Sequence, residues 1–267
     1  MQFIDTHCHL DAAEFGDTQA ELVRAAAAAG VSRIVVPAVE RANFGSVRAL
    51  GEGFPHCAPA YGIHPMYVDD ATPDDLSVLR DYLAQPGTVA VGEIGLDFFI
   101  DHYDRARQEY YFVEQLKLAR EFELPVLLHI RRAQDTILKH LRHFYASGRP
   151  STQLMTGIAH AFNGSRQQAD GFIRLGFKLG FGGAMTYARA TRLRELAATL
   201  PLECIVLETD APDIPPDFLE RGTPNRPEYL PRIAQTLVEL RGMTLEEIAR
   251  STTQNVSSVL PKLFPST

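Results

Sequence analysis

With 267 residues, 45% of them hydrophobic and no long polar spacer, the chain suits a single domain over 1–267, the size at which α/β barrels close. A formal net charge of −7 argues against a protein that coats nucleic acid through a basic face, although divalent cations held in a site would set the local field whatever the sum. Only Cys8, Cys57 and Cys204 are present, without a Cys-x-x-Cys pair, which excludes a disulfide framework and a thiolate zinc finger.

The chain opens on Met1-Gln2-Phe3-Ile4-Asp5, with neither a basic leader nor a following apolar run. No stretch of about 18 uninterrupted apolar residues occurs anywhere, so a cytoplasmic location is expected, with no membrane insertion. Nothing in the chain calls for an obligate protein partner. Phe3-Ile4-Asp5-Thr6 reads as a first strand, Thr18 to Ala29 as a helix closed by Gly30, and Arg33-Ile34-Val35-Val36-Pro37 as a second strand. Further strands are expected at Ala58 to Gly62, Val89 to Gly92, Pro125 to Ile130, Gly157 to His160, Lys178 to Phe181 and Cys204 to Glu208, with helical segments between them. Eight such strands, without an Asn-Gly hairpin signal, predict a closed (β/α)₈ barrel of the TIM type over an open doubly wound sheet. The proline-rich stretch Ala211 to Pro231 is expected to cross the barrel mouth as a loop, followed by helices at about 227–241 and 244–260.

The chemistry-bearing residues collect at the strand ends. His7 and His9 alternate with Cys8 at the end of the first strand, so both imidazoles point to one side while Cys8 points to the other. A His-x-His pair alone is as readily two polar loop histidines as a metal site. Glu93 follows the fourth strand, His129 comes at the end of the fifth, His160 ends the sixth and Asp210 lies just past the eighth. Each has an ordinary reading by itself, such as a helix cap or a satisfied histidine. Together they fall on the C-terminal face where barrel enzymes keep their sites, and carboxylates and imidazoles crowded there call for a cation.

The motifs Phe3-Ile4-Asp5-Thr6-His7-Cys8-His9-Leu10-Asp11, Gly62-Ile63-His64-Pro65, Val91-Gly92-Glu93-Ile94-Gly95-Leu96-Asp97, Pro125-Val126-Leu127-Leu128-His129, His160-Ala161-Phe162-Asn163-Gly164-Ser165 and Leu207-Glu208-Thr209-Asp210-Ala211-Pro212 resemble those of the TatD-type metal-dependent hydrolases. The similarity runs from residue 3 to about residue 230. It implies a TIM-type barrel, one or two divalent ions (Zn²⁺, Mn²⁺ or Mg²⁺), and phosphodiester hydrolysis of DNA. Carried over by position, His7, His9 and Asp210 would hold one ion and His129 and His160 the second, with Glu93 bridging. Asp210 is also placed to act as general base beside Glu93. The resemblance implies that His64 lines the substrate pocket. Arg131 and Arg132 directly follow the His129 strand; Arg131 suits bidentate phosphate contact as readily as the solvated start of a helix, whereas Arg132 reads more simply as the latter.

Gly164-Ser165 would offer backbone N–H groups to an anion, and Phe98, Phe99 and Tyr187 would stack on bases or simply pack. The chain departs from the family pattern at Ile130, Asn163, Gly180 and Arg226, which bears on substrate contacts and on no metal ligand. The leading expectation is a deoxyribonuclease trimming single-stranded DNA ends in the 3′–5′ direction. The alternatives are hydrolysis of a carboxylic ester or amide, including an aminoacyl ester on tRNA, and a barrel kept as a binding module with a vestigial site.

Overall fold

In the computed structural model, which describes residues 1–100, 102–146 and 156–264, eight parallel strands form one sheet in sequence order. The strands are β1 (Phe3–Asp5), β2 (Val31–Pro37), β3 (Cys57–Tyr61), β4 (Ala90–Asp97), β5 (Val126–Arg131), β6 (Gly157–Ala159), β7 (Lys178–Phe181) and β8 (Ile205–Leu207). Between and after them lie α1 (Gln19–Ala28), α2 (Phe44–Gly53), α3 (Pro73–Leu83), α4 (Arg105–Glu121), α5 (Gln134–Ala146), α6 (Arg166–Arg174), α7 (Thr191–Thr199), α8 (Leu230–Arg241) and α9 (Leu245–Val259). This is the expected (β/α)₈ barrel. None of the described helices is long and apolar enough to cross a membrane.

The seam between β8 and β1 is drawn shut by backbone bonds. Thr6 N–H donates to Leu207 O at 3.2 Å, Asp210 N–H to His7 O at 2.8 Å and His9 N–H to Ala211 O at 2.8 Å. Asp5 reinforces the seam from within the chain: its buried carboxylate accepts from Thr209 N–H at 2.9 Å and from the Thr209 hydroxyl.

Alternation along the strands builds two cores. Phe3, Ile34, Val36, Val126, Leu128, Leu179, Phe181, Ile205 and Leu207 face the helices. Ile4, Val35, Ala58, Ala60, Ala90, Leu127, Ile158 and Val206 fill the inside, together with Val256 and Val259 of α9 and the following Leu260 and Leu263. That interior parity leads outward to the mouth, from Leu127 to His129 and Arg131, from Ile158 to His160, and from Val206 to Glu208.

The strand boundaries hold to within a few residues except in β4. There the expected strand ends at Gly92, with Glu93 beyond it, whereas β4 continues to Asp97 through a register shift against β5 between Val91 and Ile94. The glycines and the acidic residue read as a strand end, but β5 supplies ladder partners as far as Arg131. The stretch 211–226 runs as irregular chain, tied down by Asn225, whose side-chain amide donates to Thr209 O at 2.7 Å and Ile214 O at 3.2 Å; the expected loop ends earlier than Pro231, because Pro227–Tyr229 form a helical turn that leads into α8 at Leu230.

Candidate metal centre

Glu93 is the hub of the mouth, 2% exposed, and its two oxygens face different partners. Oε2 lies 3.1 Å from His7 Nε2 and 3.4 Å from His9 Nε2. Oε1 lies 3.0 Å from His129 Nδ1, 3.1 Å from His160 Nε2 and 3.6 Å from His64 Nε2. Asp210 closes the first side, with Oδ1 at 3.7 Å from both His7 Nε2 and His9 Nε2. Its backbone is left-handed at φ 58°, a conformation aspartate tolerates better than most residues. All six sequence-nominated ligands therefore meet in one place.

The donor set fits a divalent ion. His7 Nε2 and His9 Nε2 face each other at 3.3 Å between two carboxylates, an arrangement that needs either shared protons or a cation. A tetrahedral ion about 2.0–2.1 Å from each ligand would hold them roughly 3.3–3.4 Å apart, close to the 3.1–3.7 Å observed among these atoms.

The protonation pattern points the same way. Burial opposes charge on every imidazole here and lowers His7, yet the carboxylates raise His9 to about 9 and lift His129 and His160 as well. Burial would raise Glu93, but the surrounding imidazoles and the hydrogen bond to His129 bring it well below the usual carboxylate range. Protons on these imidazoles stand in for the positive charge that a bound cation would supply.

Three carboxylates that the sequence reading did not single out serve the cluster. Asp97 Oδ2 lies 3.0 Å from His129 Nε2, leaving His129 Nδ1 toward Glu93. Glu208, 1% exposed, accepts from Ala161 N–H and has Oε1 3.6 Å from His160 Nδ1. Asp5, raised to about 7 by its burial, accepts from His7 N–H at 3.3 Å. Asp97 and Glu208 stand within the motifs that carry the resemblance, but a carboxylate near a strand end has no local mark of what it touches.

His64 belongs to the same cluster. Its Nδ1 accepts from Met66 N–H at 3.2 Å, so the neutral ring carries its proton on Nε2 and offers a donor to the mouth. Burial holds it well below its ordinary range, which keeps it neutral. Arg131 is exposed at the rim, its guanidinium carbon 3.7 Å from the Phe99 ring centroid.

The expected anion site at Gly164-Ser165 meets a competing use of its donors. Ser165 N–H donates to Gln168 Oε1 at 2.9 Å and Gln168 N–H to Ser165 Oγ at 3.2 Å, a capping box that occupies the Ser165 donor within α6. Tyr187 spends its hydroxyl on Pro215 O at 3.0 Å and lies under Arg189.

Known proteins share this chain's sequence and shape along nearly all of its length. The family model described as TatD related DNase matches residues 4–261. A protein of Escherichia coli K12 named as the uncharacterized metal-dependent hydrolase YjjV is 44% identical over 257 residues, spanning 95% of this chain and 96% of that one. A crystal structure of YjjV, described as a TatD homologue, superposes with a TM-score of 0.90 at 41% identity, covering 97% of this chain and 98% of that one. A protein of Escherichia fergusonii named 3′-5′ ssDNA/RNA exonuclease TatD is 30% identical over 259 residues, 96% of this chain and 97% of that one.

Proposed function

Since the chain belongs to the TatD related DNase family of metal-dependent hydrolases, we propose that it hydrolyses phosphodiester bonds of DNA, acting as a 3′–5′ exonuclease on single-stranded ends. The observation that carries this reading is the division of Glu93, with Oε2 against His7 and His9 and Oε1 against His129 and His160. That division suits one ion held by His7, His9 and Asp210 and a second held by His129 and His160, with Glu93 shared. The relative named as a single-strand exonuclease supports the choice of bond and polarity.

Divalent ions in such a pair supply Lewis acidity, a more acidic water and neutralisation of charge on the attacking and leaving oxygens. The chain's own residues do the rest. Asp210, part-exposed at the open side, accepts the proton of the attacking water. His64 donates its Nε2–H to a phosphate oxygen, since the Met66 N–H fixes that tautomer. Arg131 contacts the substrate's phosphate at the rim.

End-labelled single-stranded DNA, incubated with protein stripped of metal and resupplied with Mg²⁺, Mn²⁺ or Zn²⁺, tests the reading. Stepwise shortening from the 3′ end, lost in Glu93→Ala and Asp210→Ala, is the expected result. Intact DNA under every metal with folded, metal-loaded protein would overturn it and turn attention to aminoacyl esters and amides.

A further inference from the structure

Resting on the nuclease reading, we propose that Arg131, Phe99 and Arg132 form a clamp for a phosphate flanking the scissile one, so that the substrate is a polyanionic strand rather than an isolated phosphoester. Two guanidinium groups meet one aromatic ring at the rim: Arg131 Cζ lies 3.7 Å and Arg132 Cζ 4.6 Å from the Phe99 centroid. Phe99 is 43% exposed and both arginines are exposed. Among the described residues neither guanidinium makes an ion pair, unlike Arg41, Arg48, Arg80 and Arg166, each of which meets a carboxylate.

The stack is joined to the metal centre through backbone and side chain. Arg131 shares the interior parity of His129, so it stands about 6.6 Å farther along β5 on the same side. Phe98 N–H donates to Arg131 O at 2.8 Å and Phe99 N–H to Asp97 Oδ1 at 2.9 Å, while Asp97 Oδ2 meets His129 Nε2. In an extended chain, Arg131 and Arg132 would point to opposite faces. The left-handed backbone at Arg132, φ 55°, turns the chain so that both reach the same ring.

This geometry suits phosphate more than a base. An aromatic face holds each guanidinium plane by cation–π attraction and leaves its N–H edges outward, where they match a phosphate bidentately. The Phe99 ring, engaged by two cations, serves as their support and not as a stacking platform. With the chain at −7 overall, the patch acts locally, attracting the strand where it must enter.

Fluorescence anisotropy of a labelled, cleavage-resistant phosphorothioate oligothymidylate on the metal-loaded protein tests the clamp. Arg131→Ala and Arg132→Ala are each expected to weaken binding about three- to tenfold and to reduce the dependence of log K on log salt by about 0.7. Phe99→Ala should weaken binding with a smaller change in that slope, because it removes the support and keeps the charges. Arg48→Ala, which removes the same charge from a pair on the outer surface, should leave affinity unaltered. Arg131→Ala/Arg132→Ala bound as tightly as wild type, or with the wild-type salt slope, would overturn the clamp. Wild type that shortens DNA while the double variant keeps its affinity sinks the clamp alone. Strand binding lost in the double variant by a wild type that cuts no DNA supports the clamp and sinks the nuclease reading.

Discussion

At the floor of the barrel, Ile4, Val35, Ile158 and Val206 pack against Val256, Val259, Leu260 and Leu263, all of them buried and apolar. A few residues farther along the same strands, the mouth buries Glu93, His7, His160 and Glu208, with His160 Nδ1 and Glu208 Oε2 lacking hydrogen-bond partners among the described residues. The mouth also holds left-handed backbone at Ala161 and Asp210. Groups that fold a chain are thus separated along one barrel from groups that folding alone would disfavour. The difference assigns stability to one end and chemistry to the other, and substitutions at each end should fail in different ways.

Glu93→Ala should give the largest effect, a loss of DNA hydrolysis of roughly 10³-fold or more. Metal analysis should show fewer ions retained, because one carboxylate serves both groups of imidazoles. A variant that keeps both turnover and ions would remove Glu93 from the centre of the mechanism. At the opposite end, Leu260→Ala should destabilise the fold by about 2–5 kcal/mol in urea unfolding, with metal content and specific activity retained in the folded fraction. Loss of metal by Leu260→Ala at temperatures where the protein stays folded would break the separation between floor and mouth.

How much of this was legible beforehand follows the same division. The floor was readable because Ile4, Val35, Ile158 and Val206 sit in apolar runs whose periodicity announces a strand. The six ligands were readable because imidazoles and carboxylates at successive strand ends fall on one face of a barrel. Asp97 was not, because Gly92 and Glu93 read as the end of the strand, whereas β5 pairs with the chain as far as Asp97 itself. Glu208 was hidden for a different reason. Its place depends on Gly180 across the β7–β8 pair, where an added Cβ would overlap the Glu208 carboxylate. Such a relation between two strands leaves no periodic signal in either.

Stripping the ions sharpens the contrast at a smaller scale. Ligands gathered from separate strands bind a cation only when folded, so a free ion at about 100 times its Kd should add ~2.7 kcal/mol of stability, lost on chelation. Thermal unfolding with and without chelator measures it. The Glu93→Ala and Asp210→Ala variants should show little of the effect, while Leu260→Ala should show it in full. Equal chelator sensitivity in all of them would mean that the stabilising ion binds elsewhere.

The smallest effect concerns Asp97. Asp97 Oδ1 accepts from Phe99 N–H at 2.9 Å and Oδ2 meets His129 Nε2 at 3.0 Å, so that a proton held on Nε2 would leave the His129 Nδ1 lone pair free for an ion beside Glu93. An amide has one accepting oxygen for these two duties. In Asp97→Asn, keeping the Phe99 bond turns the NH₂ group toward His129, which favours a proton on Nδ1 and blocks that nitrogen as a ligand; keeping the His129 bond frees Phe99 N–H. Because the Phe99 bond lies within the chain's own turn, the first outcome is expected, and the second ion should bind roughly 10- to 100-fold more weakly, as when the partner behind a ligating histidine is removed. Titration calorimetry of the stripped protein should then show one ion bound nearly as in wild type and the other weakened. Two ions bound with wild-type affinity would mean that Asp97 does not set the His129 tautomer, and that its bond to Phe99 only shapes the rim.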